Sequence, residues 1–295
     1  MDEPQLRLAL PKGSLGDATL QLFDEADLAV LRSSDRDYNA TIDDPRIGEV
    51  RILRPQEIGK YVEDGIFDAG ICGRDWITET EADVVKLCEL HYSKATPRPT
   101  RTVLAVASGS GIKRPEDIPD GARISTEFPE MTRRYFEKLG TDVQIFMSYG
   151  ATEAKVPDIV DAIVDLTETG NSLRRAGLEI IDELCQSYPE FVANKDSHAD
   201  PKKREAMDAI TLLLTGAMNA RGKVLVKLNC PREALDAVID VLPSMRAPTV
   251  NELAAGEGYA VEAVVPKLTI NELIPVLKDR GAADILELPV TKIVE

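Results

Sequence analysis

Residues 161–178, DAIVDLTETGNSLRRAGL, hold the side chains best suited to chemistry. Thr167, Glu168, Thr169, Gly170, Asn171 and Ser172 make a hydroxyl-rich turn around one glycine. Ahead of it, Ile163, Val164 and Leu166 interleave with Asp161 and Asp165, the pattern of a short buried strand. Behind it, residues 173–178 read as the first turns of a helix. Strand, hydroxyl-glycine turn and helix together make an anion site. Glycine lets the backbone approach, several N–H groups point one way, and a helix N-terminus adds partial positive charge. The expected occupant is a phosphate, with an acidic residue at the strand end on sugar hydroxyls. The same turn also fits plain helix capping, because Ser, Thr and Asn are ordinary N-cap residues. Asp161 and Asp165 compete for the sugar: on an alternating strand both point the same way, and one is free to cap a neighbouring turn.

The elements that must position such a turn can be read along the chain. QLRLAL (residues 5–10) alternates like a strand and stops at Pro11-Lys12-Gly13-Ser14, before a helix with Leu15, Ala18, Leu22, Phe23 and Ala26 on one face. Lys12 at that switch is either a second anion site or the surface lysine of a tight turn. Residues 36–46 read as polar and irregular. A strand at 49–53 ends in Arg54-Pro55, and a helix over 56–64 with Ile58, Tyr61 and Val62 inward is stopped by Gly65. FDAGICGRDW gives a buried strand at 69–72, then Gly73-Arg74-Asp75-Trp76 entering a helix. Three strand ends therefore carry Lys12, Arg54 or Arg74. This repetition predicts an open parallel sheet, where ligands collect at the carboxyl ends of strands.

Residues 96–101, TPRPTR, form a Pro-punctuated crossover. After it come an apolar strand (102–107), a short helix at Pro115-Glu116-Asp117, a strand (123–126), a helix with Tyr135 and Phe136, and a strand (143–147). Residues 102–185 thus make a second α/β unit. A strand at 191–195 and a long helix over 201–214 follow. From Lys223 the order is strand, helix opened by Pro231, two strands (APTVNEL and YAVEAVV), helix closed by Gly281, and a last strand. That is β-α-β-β-α-β, the ferredoxin-like arrangement. It carries no evident chemistry, so regulation or assembly is expected of it.

A length of 295 residues suits two or three units. With 43% hydrophobic and 29% charged residues the composition is globular. No apolar run approaches the roughly 18 residues that span a bilayer. The start, MDEPQLRLALPKGSL, lacks a basic-then-apolar segment, so cytoplasmic residence is expected. A net charge of −16 argues against nucleic-acid and membrane partners, which want a basic surface. A local basic pocket for a phosphorylated small substrate remains open, and the acidity fits either a solvated surface or life at high salt. Cys72, Cys88, Cys185 and Cys230 lack C-x-x-C spacing and are expected reduced and packed. His91 and His198 have no partner at metal-ligand spacing, and G-x-S-x-G is absent. A structural zinc site and a Ser-His-Asp hydrolase are therefore not expected. No protein-held metal is expected; a metal acting here would be magnesium (Mg2+) carried by a phosphate substrate.

ALPKGSL, LRPQEI, YVEDGIFDAGICGRD, TEFP, GATEA followed by DAIVDLTETGNSL, and finally NCP, APTV and a Gly-Ala near the end run in order along nearly the whole chain. Together they resemble the ATP phosphoribosyltransferase family of histidine biosynthesis, in its long form with a C-terminal regulatory domain. The resemblance implies an α/β fold with two lobes of the periplasmic-binding-protein type II, and an active site between them. Catalytic subdomain I would be 1–98 with 190–218, subdomain II 99–189, and the regulatory domain 219–295. The implied reaction joins a ring nitrogen of ATP to the anomeric carbon of phosphoribosyl pyrophosphate, with magnesium, and releases pyrophosphate. By motif match, the turn from Thr167 and Glu168 through Thr169, Gly170, Asn171 and Ser172 would cradle the 5′-phosphate. Asp165 would hold the ribose hydroxyls, Glu153 would line the ribose side, and Lys12 and Arg54 would face the pyrophosphate. Asp75, beside Trp76, would contact the adenine end of ATP. Ser172 stands where similar enzymes usually carry threonine, which keeps the hydroxyl. Gln56 and Glu57 replace a lysine or aspartate of some relatives. Asn229, Thr249 and Ala282 are implied contacts for inhibitory histidine; some relatives have aspartate at Asn229, which implies weaker feedback here. Dimers and hexamers are implied. Of two rival functions, a solute-binding protein of the same class should carry a secretion signal, and an amino-acid sensor leaves the phosphate turn idle.

Overall fold

Strand β1 (Leu6–Pro11) is the axis of the first lobe, with Leu6, Leu8, Ala9 and Leu10 all fully buried. A run buried on both faces is the mark of a central parallel strand, and β1 pairs in parallel with both neighbours. The computed structural model describes residues 5–34, 36–92, 99–243, 245 and 247–295. In chain order the first lobe continues with α1 (Gly16–Glu25), β2 (Val30–Leu31), β3 (Asn39–Ile42), β4 (Ile47–Leu53), α2 (Pro55–Glu63), β5 (Ala69–Gly73), α3 (Arg74–Thr80) and β6 (Val85–Glu89). The second lobe holds β7 (Thr100–Ala107), β8 (Ala122–Thr126), α4 (Pro129–Leu139), β9 (Val143–Met147), β10 (Ala162–Thr167), α5 (Asn171–Arg175) and β11 (Leu178–Ser187). Then β12 (Pro189–Ala193) returns to the first sheet, followed by α6 (Lys195–Ala199) and α7 (Pro201–Ala220).

The first sheet runs β2-β3-β4-β1-β5-β12-β6 and the second β11-β7-β10-β8-β9. Reversed, the second order is β9-β8-β10-β7-β11, the plan of β4-β1-β5-β12-β6. In each lobe three parallel strands are followed by one antiparallel strand that the chain inserts on crossing between lobes: β12 in the first, β7 in the second. Two crossings and one repeated plan are the type II two-lobed organisation. The sheets are therefore mixed, which corrects the open parallel sheet expected from the βα repetition. A strand arriving from the other lobe enters each sheet from the opposite end.

Two further local readings are corrected. Residues 36–46 are not irregular, since β3 lies among them as an antiparallel partner of β4, with Ala40 and Ile42 buried and the alternate residues exposed. The helix expected over 173–178 is the five-residue α5, because Gly177 at φ 76° turns the chain into β11. The crossover at 96–101, and the boundary after residue 98, fall partly outside the described residues.

The chain divides into compact units Met1–Thr211 and Leu212–Glu295, a boundary inside α7 and ahead of residue 219. The second unit contains β13 (Lys223–Cys230), α8 (Leu235–Ile239), β14 (Thr249–Glu252), β15 (Tyr259–Pro266), α9 (Ile270–Asp279) and β16 (Ala283–Pro289). Its antiparallel sheet runs β14-β15-β13-β16, the ferredoxin-like order. Val224, Val226, Leu228, Val261, Val265 and Leu277 form its core. The helix opened by Pro231 is shorter than expected, a 3-10 turn at Arg232–Ala234 and then α8. Gly281 closes α9 at φ 93°, where a Cβ would sit 3.1 Å from that of Ala234. Among the described residues no helix is long and apolar enough to cross a membrane.

Candidate active site

The parallel strands of the second lobe deliver their carboxyl ends to one basin. At the end of β10 the Thr167 hydroxyl, itself buried, accepts the Gly170 N–H at 2.8 Å and so builds the turn. Gly170 holds φ 74°, and a Cβ there would lie 3.2 Å from Ile180 Cδ1. Glycine is required on both counts. Thr169, Asn171 and Ser172 are exposed around it. Arg174 donates to the Thr169 carbonyl at 3.2 Å and to Asn171 Oδ1. With only five residues, α5 adds little dipole, so the anion-binding capacity rests on the N–H groups and hydroxyls of the turn.

The two aspartates separate here. Asp161 is engaged by Arg123, whose backbone N–H and two guanidinium nitrogens donate to it at 2.8, 3.1 and 2.8 Å. Among the described residues Asp165 accepts only the Leu166 N–H, at 2.8 Å. Burial pushes its carboxyl up to about 6; the Glu153 and Glu127 carboxylates push the same way, and Lys155 opposes them. Glu127 follows β8, while Glu153 and Lys155 follow β9, so three strand ends act on one carboxyl. The Lys155 ammonium donates to the buried hydroxyls of Ser148 at 2.6 Å and Ser125 at 3.2 Å. Ala151, in the same GATEA segment, adopts φ 48°. A non-glycine residue in that region holds strain that clusters at functional sites.

Across from this basin, β5 ends at Gly73 and α3 begins with Arg74, Asp75 and Trp76. Asp75 is buried, and burial raises its carboxyl above the ordinary range. It accepts the Trp76 N–H at 2.9 Å, and its own N–H donates to Ser187 Oγ at 3.1 Å. A cleft of about 310 Å³ takes Ser14, Pro55, Asp75 and Trp76 from the first lobe and Thr100, Leu166, Thr167 and Glu168 from the second. It also takes Tyr92 and Ser187, which the sequence reading did not single out.

The cations divide unevenly. Lys12 and Arg54 are not in the cleft lining, although Ser14, two residues after Lys12, and Pro55, next to Arg54, are. The Lys12 ammonium lies 4.7 Å from the Tyr38 ring centroid and 3.4 Å from its hydroxyl. The Arg54 side chain has no bonded partner among the described residues. Arg74 is not a strand-end anion ligand: its guanidinium pairs with Glu89 and with Glu190 at 2.7 Å. Glu127 and Lys155 were missed, although TEFP and the residue after GATEA mark them.

In the second unit, Asn229 donates to Asp284 Oδ2 at 3.0 Å and pairs with Ala283, next to the buried Ala282. Thr249 stands apart on β14, opposite Glu262, with β15 between it and β13. Asp284 adopts φ 49°, which an aspartate tolerates better than most residues.

Comparison with known proteins follows the same division. The family model described as HisG, ATP phosphoribosyltransferase, matches residues 54–216, and the HisG C-terminal domain model matches residues 220–292. An ATP phosphoribosyltransferase of Pelotomaculum thermopropionicum is 45% identical over 98% of this chain and 99% of its own length. One of Desulforudis audaxviator is 46% identical over the same shares. The ATP phosphoribosyl transferase (HisG:HisZ) complex of Thermotoga maritima includes a chain that superposes with a TM-score of 0.61 at 31% identity. The match covers 71% of this chain and 96% of that one.

Proposed function

The chain belongs to the ATP phosphoribosyltransferase family, and from that premise we propose that it condenses ATP with phosphoribosyl pyrophosphate in the cleft between its two lobes. The supporting observation is that the end of β10, where Asp165 and the hydroxyl-glycine turn sit, contributes Leu166, Thr167 and Glu168 to one cleft that Asp75 and Trp76 line from the other lobe. The turn binds the 5′-phosphate through its N–H groups and the Thr169 and Ser172 hydroxyls. Asp165, with Glu153, takes the ribose hydroxyls. Lys12 and Arg54 take the pyrophosphate, and the Trp76 side takes the adenine.

The chemistry asks little of acids and bases. A ring nitrogen of adenine carries a lone pair and no proton; it forms the new C–N bond at the anomeric carbon as the C–O bond breaks. Pyrophosphate leaves with that electron pair. Positive charge develops on the ribosyl ring, and the carboxylates of Asp165 and Glu153 are placed to oppose it. Magnesium binds through phosphate oxygens plus one or two carboxylates, and the hard oxygen donors Asp165 and Glu153 suit it. When bound, it would neutralise charge on the departing pyrophosphate.

We further read the second unit as a histidine-binding regulatory domain, with Asn229 and Ala282 as contacts. The Asp284 carboxylate beside Asn229 supports this, since it supplies the negative charge that an aspartate at 229 would bring. Thr249 would join only through a ligand or a neighbouring copy. Assembly into dimers and hexamers and cytoplasmic residence go with this reading.

A ligand-induced thermal shift tests the function. Phosphoribosyl pyrophosphate with magnesium raises the melting temperature, by mass action on the folded state. Indifference to it at millimolar concentration would overturn the proposal.

A further inference from the structure

Helix α4 opens without a cap of its own. Its N-cap residue is Phe128, which has no side-chain oxygen to offer, and Pro129 opens the first turn. The next two N–H groups, of Glu130 and Met131, are orphans of the kind a Ser, Thr, Asp or Asn normally satisfies. Here they donate to Glu79, at 2.9 Å to Oε1 and 2.8 Å to Oε2. Glu79 belongs to α3, in the other lobe. Its side chain is buried, 6% exposed, and both oxygens are spent on this one contact. A carboxylate at a helix N-terminus is also favoured by the helix dipole.

The contact is tied to the first-lobe wall of the cleft and to the strand ends around Asp165 in the second lobe. One turn back along α3, Trp76 lines the cleft and lies 4.6 Å, ring centroid to centroid, from Phe128. Phe128 is fully buried and is fixed by two further bonds. Its N–H donates to Thr126 Oγ1 at 2.9 Å, and its carbonyl accepts the Thr132 hydroxyl at 2.7 Å. The residue between Thr126 and Phe128 is Glu127, one of the carboxylates acting on Asp165. A second tie runs alongside, from the Arg134 guanidinium to the Thr78 carbonyl and, at 3.6 Å, to Glu81.

We propose that Glu79 is a positioning residue for the phosphoribosyl transfer, holding the first-lobe wall at Trp76 in register with the second-lobe strand ends that carry Glu127 and Asp165. This rests on the function proposed above. That function places the ribosyl 5′-phosphate on the second lobe and the adenine and pyrophosphate on the first, so the distance between reacting atoms follows the distance between lobes. The clamp is borrowed across the lobe boundary, and losing it frees α4 and Phe128 together. Misplacing reacting groups by about 1 Å costs on the order of a hundredfold in rate.

The test uses Glu79→Gln, which keeps one acceptor oxygen in an isosteric side chain, and Glu79→Ala, in the full-length protein. Trp76 is the sole tryptophan, so its emission reports the α3–α4 seam directly. With Glu79→Ala, kcat is expected to fall by about tenfold to a hundredfold. The Kd for ribose 5-phosphate alone should stay within about twofold, because the turn, Asp165 and Glu153 proposed to hold its phosphate and hydroxyls all lie on the second lobe. Trp76 emission should shift to longer wavelength as its Phe128 face meets water. Glu79→Gln should lie between wild type and alanine in both readouts. A kcat within about twofold of wild type, or an unmoved Trp76 emission, overturns the proposal. So does a loss of ribose 5-phosphate affinity large enough to account for the whole rate loss. Should the wild type turn over no ATP, the functional reading fails instead, and the emission arm still decides whether Glu79 couples the lobes.

Discussion

Asp165 is expected to trade stability for function, and the trade can be measured. Its carboxyl holds a proton up to about 6 in the folded protein, against an ordinary 3.8, chiefly because it is buried. At about 1.4 kcal/mol per pH unit, keeping it ionised at pH 8 costs the fold up to about 3 kcal/mol. The sign follows from which state binds the proton more tightly. The folded state does, so the penalty is absent well below pH 4, grows as pH rises through 6, and is complete above. Asp165→Asn keeps the shape and can still accept the Leu166 N–H, but carries no charge to desolvate. The variant should therefore be more stable than wild type at pH 8 by up to about 3 kcal/mol, with the gain shrinking to about a third by pH 4.5. Urea unfolding at the two pH values measures both. The same substitution removes the negative charge facing the ribosyl group, and kcat/KM should fall by about a hundredfold or more. A variant no more stable at pH 8 than wild type, or one with turnover near normal, refutes the assignment.

Other expectations share this basis. Asp161→Asn should lose the ion pair and one of the two acceptor oxygens that Arg123 uses and unfold at lower urea, while kcat stays within about threefold, because Asp161 serves the fold. The wild-type kcat/KM should fall about tenfold per pH unit below about 6, as Asp165 protonates. Lys155→Met should move that acid limb to higher pH, since Lys155 is the cation opposing the shift, and Lys155→Arg should restore it. A limb that stays in place removes Lys155 from the site. Gly73→Ala would put a Cβ 2.1 Å from Asp75 Oδ1 and drive that side chain off its position. ATP affinity by titration calorimetry should drop while phosphoribosyl pyrophosphate affinity does not.

How much of this was legible in the sequence depended on how local its cause was. Both-face burial wrote itself into β5 and the second half of β7 as apolar runs, while Arg7 made β1 read as an alternating strand, and the turn at Gly170 announced itself by composition. The antiparallel insertion of β12 and β7 did not, because strand direction within a sheet is decided by the chain's route between lobes. Arg74 looked like a ligand cation because its partners are 15 and 116 residues away, at Glu89 and Glu190. Asp161 and Asp165 have the same residue type and the same parity; only Arg123, 38 residues from Asp161, separates their roles. Lys155 gains its place from Ser125, 30 residues upstream, and Glu79 from a helix in the other lobe. Such long-range pairings carry no periodicity.

The central claim, transfer of the phosphoribosyl group to ATP, is tested most directly by mixing the purified protein with ATP, phosphoribosyl pyrophosphate and magnesium. The adduct is followed by its ultraviolet absorbance and pyrophosphate is assayed in parallel, with and without histidine. One adduct should appear per pyrophosphate released, more slowly when histidine is present. Adduct formation untouched by histidine would remove only the regulatory reading of the second unit. No adduct, or pyrophosphate released without one, would contradict the catalytic reading of the cleft between Thr167 and Trp76.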